Sequence, residues 1–321
     1  MKKTSLLFAL LCVSTLIFAQ TTTQTATLKH GDNITAYYGP DALADAFVYA
    51  DDGDIITLSS GSFSAIEFNK PVTVRGAGCT YDPETGTSPT VITGWAHFSF
   101  AGDETRHLTI EGIQFPEQTE QTDFLYGKFI RCHIGTMRVG RIENALFIDC
   151  FIKQFYANAA KNVTFINSVV WQVWNCDDNR PLTFQNCVFG KTYPKRIRAT
   201  NCVVNTNEYL GSSNTFINCV FIRSSNFNDA NIINCIKYET FEEVFQTFDG
   251  TDPDFDEMFI LKSSIANNFL GDDGTEISIH GGTMPYGTRP TYMTPYRSTV
   301  DHESTPAGKL NVHIEVIDEG K

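Results

Sequence analysis

Four residues in the middle of the chain stand where they could act together. Arg138, Tyr156, Trp174 and Tyr193 each lie six positions beyond a recurring small-residue site, at Cys132, Cys150, Ser168 and Cys187. Trp171, Asp177, Asp178, Arg180, Lys195 and Arg196 are interspersed with them. Aromatic rings flanked by charged hydrogen-bonding groups suit sugars, which combine an apolar face with a polar rim. If the interval between these residues is one turn of a repeating structure, they line one face and form a ligand groove. The same aromatics would equally fill corners between strands, and the sequence leaves both readings open.

A catalytic alternative uses the acids. Asp149, Asp177 or Asp178 converging with Lys195, Arg196 or Arg198 would give a polysaccharide lyase its cation site and base, or a hydrolase its carboxylate pair about 5–9.5 Å apart. Ca²⁺ enters only with the lyase; otherwise no cofactor is expected. No CxxC or HxxxH pairing points to a metal. His30, His97, His107, His133, His280, His302 and His313 are scattered and read as surface or coil residues. Cys176 sits beside Asp177, and acidic neighbours disfavour a thiolate. The expectation is therefore a site without catalytic residues.

The elements that would position this site come from an internal repeat. It reads HLTIEGIQ (107–114), GKFIRCHI (127–134), ALFIDCFI (145–152), VTFINSVV (163–170), LTFQNCVF (182–189), IRATNCVV (197–204), NTFINCVF (214–221) and ANIINCIK (230–237). The sixth position holds Gly112, Cys132, Cys150, Ser168, Cys187, Cys202, Cys219 and Cys235, at steps of 20, 18, 18, 19, 15, 17 and 16 residues. Phe, Ile and Val dominate the short apolar stretches, which is strand chemistry. Such a step is too short for a strand, a crossover helix and a return. It suits a coil of two or three strands, each coil stacking on the next and burying its inward side chains only against neighbours. The expected fold is all-β, a right-handed parallel β-helix of roughly 10–12 coils. A leucine-rich solenoid is rejected because its fixed leucine offsets hold Phe, Ile and Thr here.

The fifth position is Asn167, Asn186, Asn201, Asn218 and Asn234 in the later copies, and Glu111, Arg131 or Asp149 in the earlier ones. Asn is the non-glycine residue that best tolerates a left-handed bend. Its amide donates and accepts, so stacked copies could bond as a structural ladder. Cysteines at equivalent places on neighbouring rungs would be nearly a full strand spacing apart, beyond what a disulfide prefers. Cys187, Cys202, Cys219 and Cys235 are therefore expected to form a stack of free thiols, although an even count in an exported chain usually means disulfides.

At the N-terminus, Lys2 and Lys3 precede an apolar run from Leu6 to Phe18 and then Ala19. That pattern reads as a signal peptide over 1–19, hence an exported protein, and the run is too short to span a bilayer as a mature helix. Formal charge is −13 and becomes −15 once Lys2 and Lys3 are lost, which argues against a nucleic-acid partner. Ala42, Leu43, Ala46, Phe47 and Ala50 fall at helical spacing behind Pro40 and Asp41, so a helix is expected to cover the first coil. Residues 283–321 read as an extended tail whose LNVHIEVI (310–317) alternates as a half-buried strand; 20–282 is the expected β-helix with its cap.

GDIITLSSGSF (53–63) and FNKPVTVRGAG (68–78) resemble the opening coils of pectin-lyase-like β-helix proteins. DPDFDEMFILKSSIANN (252–268) and GDDGTEISIHGG (271–282) resemble the closing coil of exported β-helix proteins of Gram-negative bacteria. The resemblance covers about 30–285 and implies fold rather than function, since that fold hosts many activities. Pectin-degrading members would imply Asn-Thr-Asp, Asp-Asp, Gly-His-Gly and Arg-Ile-Lys; only Asp177-Asp178 and Arg196-Ile197-Arg198 approach it, so no catalytic roles carry over. The functional expectation is a non-catalytic protein binding a polysaccharide or cell-surface glycan, with the enzyme and a purely structural or adhesive rod as alternatives. Oligomeric state is left undetermined.

Overall fold

The computed structural model describes residues 24–83, 85–156, 159–174, 181–190, 196–206, 213–223, 230–283 and 285–287, and the strands at 294–300 and 312–317 by their backbone. The chain divides into two compact units, Met1–Tyr286 and Gly287–Lys321. The second contains an antiparallel pair, Thr294–Val300 with Val312–Ile317.

The first unit is a parallel β-solenoid of about nine turns. One sheet of 12 strands begins with the antiparallel hairpin Thr25–His30 and Asn33–Tyr38, then takes one strand per coil from Ile55–Leu58 to Asn231–Ile233. A second sheet of 14 strands faces it and ends at Ile236–Tyr238. That is fewer than the expected 10–12, and residues 252–282, expected as a closing coil, add no strand to either sheet.

Local chemistry fixes the corner between the two sheets. Arg131, Asp149, Asn167, Asn186, Asn201, Asn218 and Asn234 all have φ between 46° and 56°. This left-handed turn keeps each amide aligned with the axis, so Asn167 N still donates to Gln185 O and Asn201 N to Ile217 O, both at 3.0 Å. Strand register corrects one alignment: Lys128 pairs with Thr109 and Ile130 with Glu111. Gly112 (φ 64°) therefore occupies the bend position, not the thiol position, and a glycine is well suited to it.

From Cys132 onward the next residue is small, and it is buried on every rung but the last, where Cys235 is half-buried. Cys132, Cys150, Cys187, Cys202, Cys219 and Cys235 are free thiols. Each donates to the carbonyl two residues back, at 3.1–3.3 Å. Ser168 Oγ does the same to Ile166 O at 2.8 Å. The position thus asks for a small side chain with one donor, which Cys and Ser both supply. Burial pushes the thiols of Cys150, Cys202 and Cys219 well up, so they stay protonated.

Inside, Phe129, Phe147, Phe165 and Phe184 occupy one column, with successive ring centroids 5.2, 4.9 and 4.8 Å apart and planes within 19°. Ala199 follows, and Phe189 stacks on Phe184 at 4.1 Å. The upper end is closed by the helix Ala42–Tyr49, which buries Ala42, Leu43, Ala46 and Phe47. Lys70 Nζ donates to the carbonyls of Phe47, Val48 and Ala50 at 2.7–3.0 Å, satisfying groups that a helix end leaves open.

The C-terminal part of this unit is a strap. From the helix Phe241–Val244 to Tyr286 it folds back over the outer face of the second sheet. Phe241, Phe245, Phe248, Phe259, Ile277 and Ile279 form a second core with Phe151, Val169, Trp171, Val188, Val203 and Val220. Where the strap lies, the second sheet is buried on both faces, which explains continuous apolar runs such as Val169-Val170-Trp171. Gly281 and Gly282 approach the side chain of Asn186, and Asn167 Nδ2 donates to Ile279 O and Gly281 O at 2.9 and 2.7 Å.

Candidate functional site

Three strands of the second sheet, His133–Val139, Phe151–Tyr156 and Val169–Trp174, keep one register throughout but leave Gly135, Lys153 and Trp171 out of the ladder. Their first halves lie under the strap. Asp252 marks the border: it accepts from Trp171 Nε1 at 3.1 Å and pairs with Lys153 Nζ at 2.9 Å. Beyond it the outer face emerges.

Two columns run along that half, exposed at Arg138, half-buried at Thr136, Gln154, Tyr156 and Trp174, and buried at Gln172. Arg138, Tyr156 and Trp174 are direct partners on successive strands. The Arg138 guanidinium lies 5.7 Å over the Tyr156 ring, and Tyr156 and Trp174 stack at 6.4 Å with planes 21° apart. Tyr156 is thus held between a cation and an indole. In the neighbouring column, Thr136 Oγ1 donates to Gln154 Oε1 at 3.2 Å and Gln154 Nε2 to Gln172 Oε1 at 3.3 Å. Buried Met137, Phe155 and Val173 point inward between the columns. Trp174 Nε1 has no hydrogen-bond partner among the described residues.

The aromatic column continues toward the N-terminal cap. Register places Glu120 beside Arg138, His97 beside Glu120 and Glu67 beside His97. Glu67 accepts from Ser99 Oγ, and His97 Nδ1 stands 3.7 Å from Glu120 Oε2. Six residues on successive rungs span about 24 Å at about 4.8 Å per rung. Glu67 also lines a groove of about 400 Å³ against the capping helix, with Ala44, Phe47, Ile66 and Lys70.

Comparison with protein-family models, with curated proteins and with solved structures finds no match.

The structure brings Arg138, Tyr156 and Trp174 together and separates others from them. Trp171 is fully buried against Phe241, Phe248 and Phe259. The side-chain alternation breaks at this unpaired position, since Val170 and Val173 both face the inner core, and Trp171 anchors the strap instead of facing a ligand. Arg196 has φ 52° and stands one residue ahead of Ile197–Thr200, at the corner that enters the first sheet. Asp177, Asp178, Arg180, Tyr193 and Lys195 lie outside the described residues, as do Cys176 and the segment 1–19 expected to be a signal peptide. Asp149 occupies the buried bend column while Arg198 projects from the first sheet beside Thr183 and Thr215, so this acid and this base do not converge.

The Asn amides are used in two ways. Asn234 Nδ2 donates to Asn218 Oδ1 at 2.6 Å and Asn218 Nδ2 to Asn201 Oδ1 at 3.4 Å. The ladder then breaks: Asn201 turns to Asp272 at 3.0 Å, Asn186 finds no partner among the described residues, and Asn167 holds the strap. The strap accounts for two of these breaks, its Asp272 side chain taking Asn201 and its backbone taking Asn167.

His133 is a functional-looking residue that sequence reasoning set aside. It is buried, its ring stacks on Phe255 at 4.9 Å, Nε2 meets Tyr286 Oη at 3.3 Å, and Nδ1 has no partner among the described residues. Burial holds its pKa down to about 4, so it serves as a neutral anchor for the strap. His30, Asp51 and Asp54 also cluster closely enough to share an ion. Asp54 already accepts from Asp51 N at 2.8 Å and from His30 Nδ1 at 3.0 Å, which makes it a pin for the turn after the capping helix.

Among the described residues, no helix is long and apolar enough to cross a membrane.

Proposed function

We propose that this chain is an exported, non-catalytic β-helix protein of the pectin-lyase-like kind that binds a glycan along the strip beside the strap. The observation that carries the reading is the in-register stack of Arg138, Tyr156 and Trp174 next to the amide rail Thr136–Gln154–Gln172. Arg138 and Trp174 occupy the two sides of Tyr156, so the ring is pre-positioned and loses little freedom on binding. The indole of Trp174, stacked on Tyr156, is the kind of flat apolar surface on which the apolar face of a pyranose packs. Amides both donate and accept, as hydroxyl-rich sugars require.

The test is a glycan array with reducing-end release assayed on the same ligands. The reading expects glycan binding that is lost in Trp174→Ala and weakened in Gln154→Ala, with unchanged melting temperatures and no product. Release of reducing ends would replace the binding module with an enzyme. Silence across the array would refute glycan recognition and favour a structural or adhesive rod.

A further inference from the structure

The first sheet ends in a strand whose outer edge is unpaired among the described residues. Asn33–Tyr38 bonds to Thr25–His30 on one side and is the last strand on the other. Natural sheets blunt such edges with charge, proline or shortness. The strand at the opposite end, Asn231–Ile233, is only three residues long. Asn33–Tyr38 has six residues, Asn-Ile-Thr-Ala-Tyr-Tyr, and carries neither charge nor proline. On a chain of formal charge −13 it is an uncharged window.

Its exposed side chains are arranged symmetrically. Register sets Thr35 opposite Leu28 and Tyr37 opposite Ala26, so these point to the buried side, and Ile34, Ala36 and Tyr38 point to the other. Ile34 is 70% exposed and Tyr38 69%, two positions either side of Ala36. We infer that the protein forms a two-fold dimer in which the Asn33–Tyr38 strands of two copies pair antiparallel about Ala36. Each Ile34 then faces the other copy's Tyr38, an aromatic with β-branched pair of the kind that stabilises adjacent strands. Each Thr35 faces a Tyr37, and the small Ala36 meets itself on the axis. Directly opposite the flanking Asp32 stands Pro40, so no like charges are opposed. The contact is isologous and closes on itself. Head-to-tail growth through Asn231–Ile233 would set Ile34 against the other end and leave the symmetry about Ala36 unused. Val48 and Tyr49, 69% and 68% exposed, lie on the strand's other face, reached through the Tyr37–Tyr49 ring stack at 6.1 Å.

Sedimentation of the full chain tests this, beside the double variant Ile34→Lys with Tyr38→Lys. The expected result is a two-chain mass for the native protein and a dissociation constant raised about tenfold or more in the variant, with the same thermal melt. Opposed Cα atoms in an antiparallel pair lie about 4.5–5.5 Å apart, within disulfide reach. Ala36→Cys is therefore expected to cross-link to itself under oxidation, above the background of the native thiols, while Ile233→Cys does not. A single-chain mass at every concentration would overturn the proposal. So would an intact dimer in the lysine variant together with no cross-link at position 36, and cross-linking of Ile233→Cys in place of Ala36→Cys would establish a different interface.

Discussion

Acid should loosen the strap, and His133 should be the cause. Its ring is buried between Phe151 and Phe255, and burial holds its pKa down to about 4 from an ordinary 6.5. In the unfolded chain the same ring binds a proton near 6.5, so below that pH the unfolded state holds more protons than the folded one. Stability is then full above 6.5 and is lost as pH falls toward 4. The gap corresponds to about 3 kcal/mol at about 1.4 kcal/mol per tenfold in proton affinity, a sizeable part of a typical domain's stability. The assay is the urea midpoint followed through this window for the native chain and His133→Phe. Phenylalanine keeps the packing against Phe255 and removes the titration. It also strips Tyr286 Oη of its described partner, a cost of about 1–3 kcal/mol that does not vary with pH in this range. The readout is therefore the slope, not the absolute stability. We expect the native curve to fall more steeply than the variant's, and amide exchange at Phe255 and Tyr286 to accelerate first. Parallel curves would show that the ring is not buried neutral and that the strap is held otherwise.

Other consequences follow from the bends and the cap. At Asn201 (φ 56°), alanine should cost about 1–2 kcal/mol for the left-handed backbone and about 1 kcal/mol for each bond lost to Asp272 and Asn218; glycine should recover the backbone part, and chemical unfolding of the two variants separates the contributions. The Asp54 hydrogen bond raises the pKa of His30, so its pairing contributes below 6.5 and is lost as pH rises through the raised value. Asp54→Asn should bring the NMR titration of His30 back toward 6.5, and an unchanged titration would discount the pairing.

The solenoid was legible because each coil repeats one problem, a bend needing positive φ followed by a small buried donor, and Asn with Cys or Ser solves it each time. Gly112 was assigned one place out because it satisfies the bend while resembling a small core residue, and only strand register distinguishes the two. The strap was not legible. Phe241, Phe245, Phe248 and Phe259 follow no repeat, and the face they cover reads as ordinary strand. The one signal was the apolarity of Val188-Phe189 and Val169-Val170-Trp171, more than a sheet with one wet face needs. Arg138, Tyr156 and Trp174 were found because their spacing equals the coil. Glu67, His97 and Glu120 were missed because the early coils vary in length and the strand Gln114–Leu125 carries register shifts.

The strap also acts as a ruler. It leaves the last rung after Tyr238 and returns to His133, six rungs earlier in the second sheet, a run of about 29 Å at about 4.8 Å per rung. Repeat proteins ordinarily gain or lose units without penalty, since each touches only its neighbours. Here an added coil would carry Tyr286 one rung short of His133 and set the strap's glycines against the wrong asparagines. Coil number and strap length are therefore bound to change together, and a lineage that duplicates a coil must lengthen the strap by the height of one rung.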